Sequence, residues 1–437
     1  MKVVIMSGGR GTRISELFPN IPKPLIPIDG VPVLEREICS LRDQGFTEII
    51  LTVSYKADQI EEYFGDGSKF DVKINYFVED TPLGNAGALV IMRAEGTLDG
   101  DFLLLNADSI FDVDFNRFVA FHNGKGGLVT LFTHPNSHPY DSGLIIADNE
   151  GKVEKWLTKE EPRPHWYKNR VNAGLHVINA SVLDGLINDA DKIGTIDPTT
   201  GKPIKVDLDR QILKPLCGSG QMYCYDSPEY VKDMGTPERF SQVCDDFKAG
   251  RVQAKNLKNE QKAIFLDRDG TINKYVGFLR NVDEFELLPG AAEAIKRINN
   301  SGCLAIVVTN QPVIARGEVT FEQLNEIHNK METLLGEQGA YLDAIYFCPH
   351  HPDKGFEGEV PEFKIDCDCR KPKPGMLIKA AEDFNIDLKA SWMVGDGKND
   401  ILAGKNADCK TVLIGEESFG EDFRVESLLD FTDKFLK

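Results

Sequence analysis

MKVVIMSGGRGTR, residues 1–13, is an apolar run that breaks into Gly8, Gly9, Gly11, Thr12 and Arg13. Far downstream, AIFLDRDGT, residues 263–271, is a second apolar run, and it ends on Asp267 and Asp269. A hydrophobic strand that runs into a glycine loop and then a helix lets backbone N–H groups approach phosphate oxygens, with the positive end of the helix behind them. Two acids spaced by one residue at a strand end both face one site at the carboxyl edge of a sheet, where α/β proteins bind ligands. Each stretch is a strand feeding a loop, so each predicts an α/β unit with its chemistry at a strand end.

Outward from these stretches, short apolar runs alternate with amphipathic segments. In the first half the strand-like runs are VVIM, EIILTVS, INYFV, DFLLLNAD, GLVTLFT, GLIIAD and AGLHVI. Val33 to Gln44 places apolar residues at helical spacing, and Gly45 is a natural stop. A polar stretch from Asp245 to Gln261 reads as helix and linker, after which alternation restarts through CLAIVVTNQ, YLDAIYFC, ASWMVGD and CKTVLIG. The expectation is an α/β protein of two domains, 1–245 and 262–437, joined by a linker at 246–261.

The 437 residues exceed one ordinary core, and length alone predicts about two to three domains. The apolar fraction of 41% and charged fraction of 27% are those of a water-soluble chain, and no apolar run is long enough to span a membrane. A net charge of −19 argues against nucleic acid or an anionic membrane as partner, though not against nucleotides held by local cations. The chain opens directly on a strand-like KVVIM without a charged-then-apolar leader, so a cytoplasmic location is expected. Six of nine cysteines (Cys39, Cys217, Cys224, Cys244, Cys303, Cys409) are scattered and expected to be small buried or half-buried residues. Cys348, Cys367 and Cys369 cluster with His350 and His351, which suits a metal site better than disulfides in a reducing compartment.

The N-terminal loop is neither a Walker loop nor a dinucleotide fingerprint, and alone it could be a tight turn. Pro22-Lys23-Pro24 then fixes a second cation after Arg13 on a stiff segment. With that addition, Met6 to Pro27 resembles the signature of the sugar-1-phosphate nucleotidyltransferases, Gly-Gly-x-Gly-Thr-Arg with a downstream Pro-Lys, and the resemblance runs to about residue 240. It implies a Rossmann-like domain in which Gly8, Gly9, Gly11, Thr12, Glu79 and Gly84 bind the nucleotide. It further implies that Asn172 and Gly174 contact the sugar, and that Asp108 and Asp233 hold Mg²⁺. Arg13 and the metal would stabilise charge on the α-phosphate while Lys23 holds the sugar phosphate, itself the nucleophile. Asn85, Ala107 and the run Lys159-Glu160-Glu161-Pro162 depart from the family's usual letters.

In the C-terminal half an Asp-Gly turn is the plain alternative, but matching groups recur at later strand ends. Thr309-Asn310 ends one run, Lys371 follows the cysteine cluster, and Asp396 ends WMVGD with Asp400 beyond. This set resembles the haloacid dehalogenase superfamily of phosphatases over residues 262–415. It implies Asp267 as nucleophile, Asp269 as general acid/base and Thr309 and Lys371 on the transferring phosphate. Mg²⁺ would sit on Asp267, the Asp269 backbone carbonyl and Asp396. Cys348, His350, Cys367 and Cys369 supply a closed set suited to structural Zn²⁺, with His351 expected to face solvent. The loop would aim Arg370 and Lys371 at a phosphate, with Asn310 beside them and Arg316 as a substrate contact. Within the superfamily this zinc loop resembles the D-glycero-D-manno-heptose 1,7-bisphosphate and histidinol-phosphate phosphatases.

The pairing chooses between them. Removing the 7-phosphate from the heptose bisphosphate leaves a sugar 1-phosphate, the substrate class of the N-terminal half, whereas histidinol phosphate connects to nothing there. The implied function is a bifunctional enzyme that makes GDP-heptose from heptose phosphates and GTP, and a homo-oligomer is compatible with it. Competing readings keep both activities with another sugar or base, or make one half a non-catalytic module.

Overall fold

The computed structural model describes residues 1–9, 13–355 and 357–436, the side chains of Ser15 and Asp141 excepted. Gly11 and Thr12 lie outside the described residues. The chain separates into two compact units. The first comprises 1–133, 145–156 and 172–253; the second comprises 254–437 with the segments 134–144 and 157–171.

In the first unit the strands run Lys73–Val78, Glu48–Val53, Lys2–Met6 and Asp101–Asn106 across the sheet, all parallel, followed by Val171–Asn179 antiparallel to Asp101–Asn106. Val3, Val4 and Ile5 are wholly buried because helices and loops cover both faces, as a parallel sheet requires. The alternation of a strand then divides the core: Val4 and Leu104 pack on one face, and Val3, Ile5, Leu103 and Leu105 on the other. The helix foreseen after Pro32 is Val33–Arg42, burying Val33, Leu34, Ile38 and Leu41. Gly45 lets the chain turn away at φ +88°.

The second unit is a six-stranded sheet in the order Ala344–Cys348, Leu304–Asn310, Ala263–Leu266, Trp392–Gly395, Lys410–Ile414, Phe423–Val425, parallel throughout. Ile264 and Leu266 face one layer, Ala263 and Phe265 the other. Because the strands are parallel, Asp267, Thr309, Cys348 and Asp396 all come to the same carboxyl edge. Helix Phe321–Glu337 starts with a reciprocal cap, Thr320 on the Gln323 N–H and Gln323 on the Thr320 N–H.

Among the strands that were not legible in sequence, two matter for the site. Ser109–Asp112 and Tyr230–Asp233 pair antiparallel, with Asp233 opposite Ser109. Four-residue strands with polar ends carry almost no periodicity, and their partners lie more than a hundred residues apart.

Candidate active sites

A cavity of about 650 Å³ opens in the first unit at the end of the Lys2–Met6 strand. Gly8 and Gly9 line it, and a Cβ on Gly9 would meet nothing within 4 Å, so that stretch of backbone faces open space. Arg13, Lys23 and Asp108 line the same wall. Lys23 Nζ donates to Asp108 Oδ2 at 2.5 Å. The unforeseen strand pair brings in the second acid: the Met234 N–H donates to the Asp108 carbonyl at 2.9 Å. Gly235 marks where the groups converge. A Cβ there would stand 3.0 Å from Asp233 Oδ1, 3.3 Å from Arg13 Nη2 and 3.7 Å from Lys23 Nζ. Burial pushes the Asp233 carboxyl up, but the Gly235 N–H and Arg239, 2.6 Å from Oδ2, outweigh it and hold it below its ordinary value. Two carboxylates beside two cations fit the usual Mg²⁺ arrangement, one or two acids completed by substrate phosphates.

Glu79, Leu83, Gly84 and Asn85 also line the cavity, and a Cβ on Gly8 would stand 3.7 Å from Glu79 Oε1. Burial raises the Glu79 carboxyl against the pull of the Leu83 N–H. Gly84 has φ +85°, and a Cβ on it would sit 2.3 Å from the Val206 carbonyl, so no other residue fits there. Val206 straps this segment from above: its N–H donates to the Leu83 carbonyl and its carbonyl accepts from Ala86. Asn85, one of the departures from the resembled pattern, accepts the Leu208 N–H on Oδ1 at 2.7 Å. The asparagine fixes the strap.

Three residues near this cavity escaped sequence reasoning. Lys205 lines it because the strap places it there. Arg239 pairs with Asp233 from the helix Pro237–Lys248. Glu37 sits on the buried face of Val33–Arg42, neither carboxylate oxygen having a hydrogen-bond partner among the described residues, and is held well above its ordinary value by burial and by Asp108. None belongs to a motif; only packing brings them close.

In the second unit Lys371 is the hub. Its buried Nζ donates to Asp267 Oδ1 at 2.7 Å, Asp400 Oδ1 at 2.6 Å and the Val308 carbonyl at 2.7 Å. Asn310 holds the Lys371 backbone with a reciprocal pair of 3.0 Å hydrogen bonds. Carboxylate oxygens of Asp267, Asp396 and Asp400 lie within 4.8 Å of one another. Burial and then Asp400 push Asp267 up to about 7 against the pull of Lys371, and the same two causes bring Asp396 to about 6. Three acids against one ammonium leave negative charge in excess, which fits a divalent cation. A Cβ on Gly270, φ +85°, would fall 1.9 Å from Asp396 Oδ2, so the chain after Asp269 must be bare there.

The Asp269 carboxylate lies outside that group of three. It accepts from Arg268 at 2.8 Å, Asn273 at 3.0 Å and Gln311 at 3.1 Å. Burial pushes it up, but Arg268 and these amides overcome that and keep it below its ordinary value. Gln311 also donates to Thr309 Oγ1 at 2.9 Å, tying the acid to the neighbouring strand end. The Arg316 guanidinium lies over the Phe278 ring, 4.0 Å from its centroid.

The four expected soft ligands meet. Cys348 Sγ lies 3.5 Å from Cys367 Sγ, Cys369 Sγ 3.2 Å from Cys367 Sγ and 3.4 Å from His350 Nδ1. A tetrahedral zinc with Zn–S bonds of about 2.3 Å sets ligand atoms roughly 3.5–3.8 Å apart, so these atoms, 3.2–3.5 Å apart, need to spread by only a few tenths of an ångström to hold one. Arg370 donates to the His350 carbonyl at 3.1 Å, which ties it to this loop. His351 was expected to face solvent; instead it is 9% exposed and its Nδ1 accepts the Asp353 N–H at 3.2 Å. The loop folds back over it, which spacing could not show.

The nucleotidyl transferase family model matches residues 2–248, and the haloacid dehalogenase-like hydrolase model matches 218–408. The chain is 47% identical over 156 residues to the D-glycero-beta-D-manno-heptose-1,7-bisphosphate 7-phosphatase of Pasteurella multocida, covering 35% of this chain and 82% of that one. The chain belongs to the nucleotidyl transferases in its N-terminal part and to the haloacid dehalogenase-like hydrolases in its C-terminal part. The hydrolase domain is also 44% identical over 152 residues to the phosphatase of the same name from Escherichia coli K12, covering 35% of this chain and 78% of that one. HddC from Yersinia pseudotuberculosis, at 24% identity and TM-score 0.46 over 56% of this chain and 99% of its own, is too distant to carry an argument. The two family matches overlap over 218–248, which the structure puts in the first unit with the transferase domain. Among the described residues no helix is long and apolar enough to cross a membrane.

Proposed function

We propose that the chain catalyses two consecutive steps on one sugar. The hydrolase domain removes the 7-phosphate from D-glycero-D-manno-heptose 1,7-bisphosphate. The transferase domain then joins the resulting heptose 1-phosphate to GMP from GTP, releasing pyrophosphate and giving GDP-heptose. One observation carries the reading: a hydrolase domain nearly half identical to a heptose bisphosphate phosphatase shares a chain with a nucleotidyl transferase domain, and the sugar 1-phosphates that the resemblance of Met6 to Pro27 implies for the latter are the class of that phosphatase's product.

In the hydrolase site an Asp267 oxygen attacks the 7-phosphorus, and the bond from phosphorus to the sugar oxygen breaks. Asp269, held ionised by Arg268 in the free site, takes up a proton from solvent as the substrate's own negative charge enters, gives it to that oxygen, and then takes one from the water that cleaves the aspartyl-phosphate. Lys371, Thr309 and Asn310 hold the transferring group, and Arg316 and Arg370 hold the rest of the substrate. Asp267, Asp396 and the Asp269 carbonyl would hold Mg²⁺, with Asp400 beside them. Cys348, His350, Cys367 and Cys369 would hold Zn²⁺ as a structural ion that orders Arg370 and Lys371.

In the transferase site a phosphate oxygen of the sugar 1-phosphate attacks the α-phosphorus, and the bond to pyrophosphate breaks. Arg13 faces the charge that builds there, Lys23 orients the sugar phosphate, and Asp108 and Asp233 would hold Mg²⁺. Glu79 and Gly84 bind the nucleoside, and Asn172 and Gly174 the sugar. When bound, the divalent cation at either site neutralises phosphate charge in the transition state.

Purified protein given the bisphosphate, GTP and Mg²⁺ should yield GDP-heptose. Asp267→Asn should stop phosphate release yet keep transfer from supplied heptose 1-phosphate; Arg13→Ala should do the reverse. Supplying α and β anomers with each NTP identifies the substrate pair. Loss of both activities in folded D267N protein would refute two separate sites.

A further inference from the structure

His176 is wholly buried in the strand Val171–Asn179, in register with Leu104, and the chemistry above gives it no part. Two residues away, Gly174 holds φ +78°, and a Cβ on it would stand 2.8 Å from Asn106 Nδ2, a side chain of the cavity wall. This left-handed residue bends the strand so that Asn172 and His176 meet. The Gly174 N–H lies 3.2 Å from Asn172 Oδ1, and His176 Nε2 lies 3.2 Å from the same atom.

The hydrogen-bond logic is closed. A backbone N–H only donates, so the amide atom it faces is the oxygen and the amide orientation is fixed. A ring nitrogen facing that oxygen must carry a proton, so His176 is the Nε2–H tautomer and Nδ1 is bare. Nδ1 is buried without a hydrogen-bond partner among the described residues. An orphaned buried acceptor costs stability that a phenylalanine of similar shape would not. Burial also depresses the imidazole to about 4, so the ring stays neutral and the donor persists at working pH.

We propose that His176 is a positioning residue of the transferase site: with the Gly174 N–H it saturates the Asn172 oxygen and turns the amide NH₂ toward the sugar 1-phosphate. This rests on the reading of Asn172 as a sugar contact.

The test compares His176→Phe, His176→Gln, Asn172→Ala and the N172A/H176F pair with the wild type. Each is assayed on whichever of heptose 1-phosphate and mannose 1-phosphate the wild type turns over. H176F should raise KM for the sugar phosphate about tenfold, the worth of one hydrogen bond. Its KM for GTP should stay within about twofold and its Tm should not fall, because the bare Nδ1 is gone. Glutamine can place an N–H near Nε2, so H176Q should recover most of the affinity. The pair should be no worse than N172A alone. If N172A impairs the sugar KM while H176F leaves it unchanged, the clamp is refuted and the sugar contact stands. If N172A leaves it unchanged, the sugar contact itself falls and the clamp with it. Equal loss in H176F and H176Q with a lowered Tm would make the ring a packing residue and overturn the proposal.

Discussion

Replacing Lys371 by methionine removes the ammonium set beside Asp267 and Asp400, which with Asp396 are close neighbours in the second unit. The side chain is 2% exposed and its three acceptors lie at 2.6–2.7 Å, so neither water nor another cation takes its place. Two unit charges about 4 Å apart at an effective dielectric near 20 interact by about 4 kcal/mol. At roughly 1.4 kcal/mol per factor of ten, loss of that term against the phosphate in transfer slows release about a thousandfold. Arginine should not rescue, because a planar fork cannot meet three acceptors that converge on one point. The assay is single-turnover phosphate release at saturating Mg²⁺. Transfer from supplied heptose 1-phosphate checks the first unit, and circular dichroism with urea unfolding checks the second. A folded K371M protein that keeps release within about tenfold of wild type would refute the role given to Lys371.

Three further outcomes are expected. Metal analysis should find about one zinc per chain, and Cys367→Ser should lose it along with most phosphate release, while transfer persists; full zinc-free activity would count against a structural ion. Burial holds His176 near 4 and His328 near 3, the latter helped by Arg268, against about 6.5 unfolded. The unfolded chain therefore takes up protons first, so stability is complete above pH 6.5 and falls as pH drops toward 3–4, by an order of 3 kcal/mol per histidine. Urea midpoints from pH 7 to 4 measure this, and His328→Leu should flatten the slope in the second unit. Asn85→Ala orphans the N–H of buried Leu208 and should cost about 1–3 kcal/mol, with a raised KM for GTP; an unchanged KM would show that the strap does not shape the nucleotide end.

Much of the chemistry was readable because it is local. Gly8 and Gly9 follow a strand, Asp267 and Asp269 end one, and Cys348-Pro-His350 with Cys367-Asp-Cys369 keep ligand spacing within short loops. Such groups share one element, so spacing fixes their relation whatever surrounds them. The departure at Asn85 and the place of His351 beside the ligand set could be seen but not interpreted, since each side chain bonds to a backbone group that packing or a loop brings to it.

The sequence alone determined two α/β halves, the strand ends that carry acids and glycines, and the soft-ligand set, all set by periodicity and short-range order. Only the tertiary structure decided that Asp233 stands beside Lys23 and Arg13, that Lys371 bridges Asp267 and Asp400, and that Gly174 bends His176 back onto Asn172. Those partners join residues far apart in the chain, or depend on a backbone bend. Sheet register and burial select them after the elements have formed.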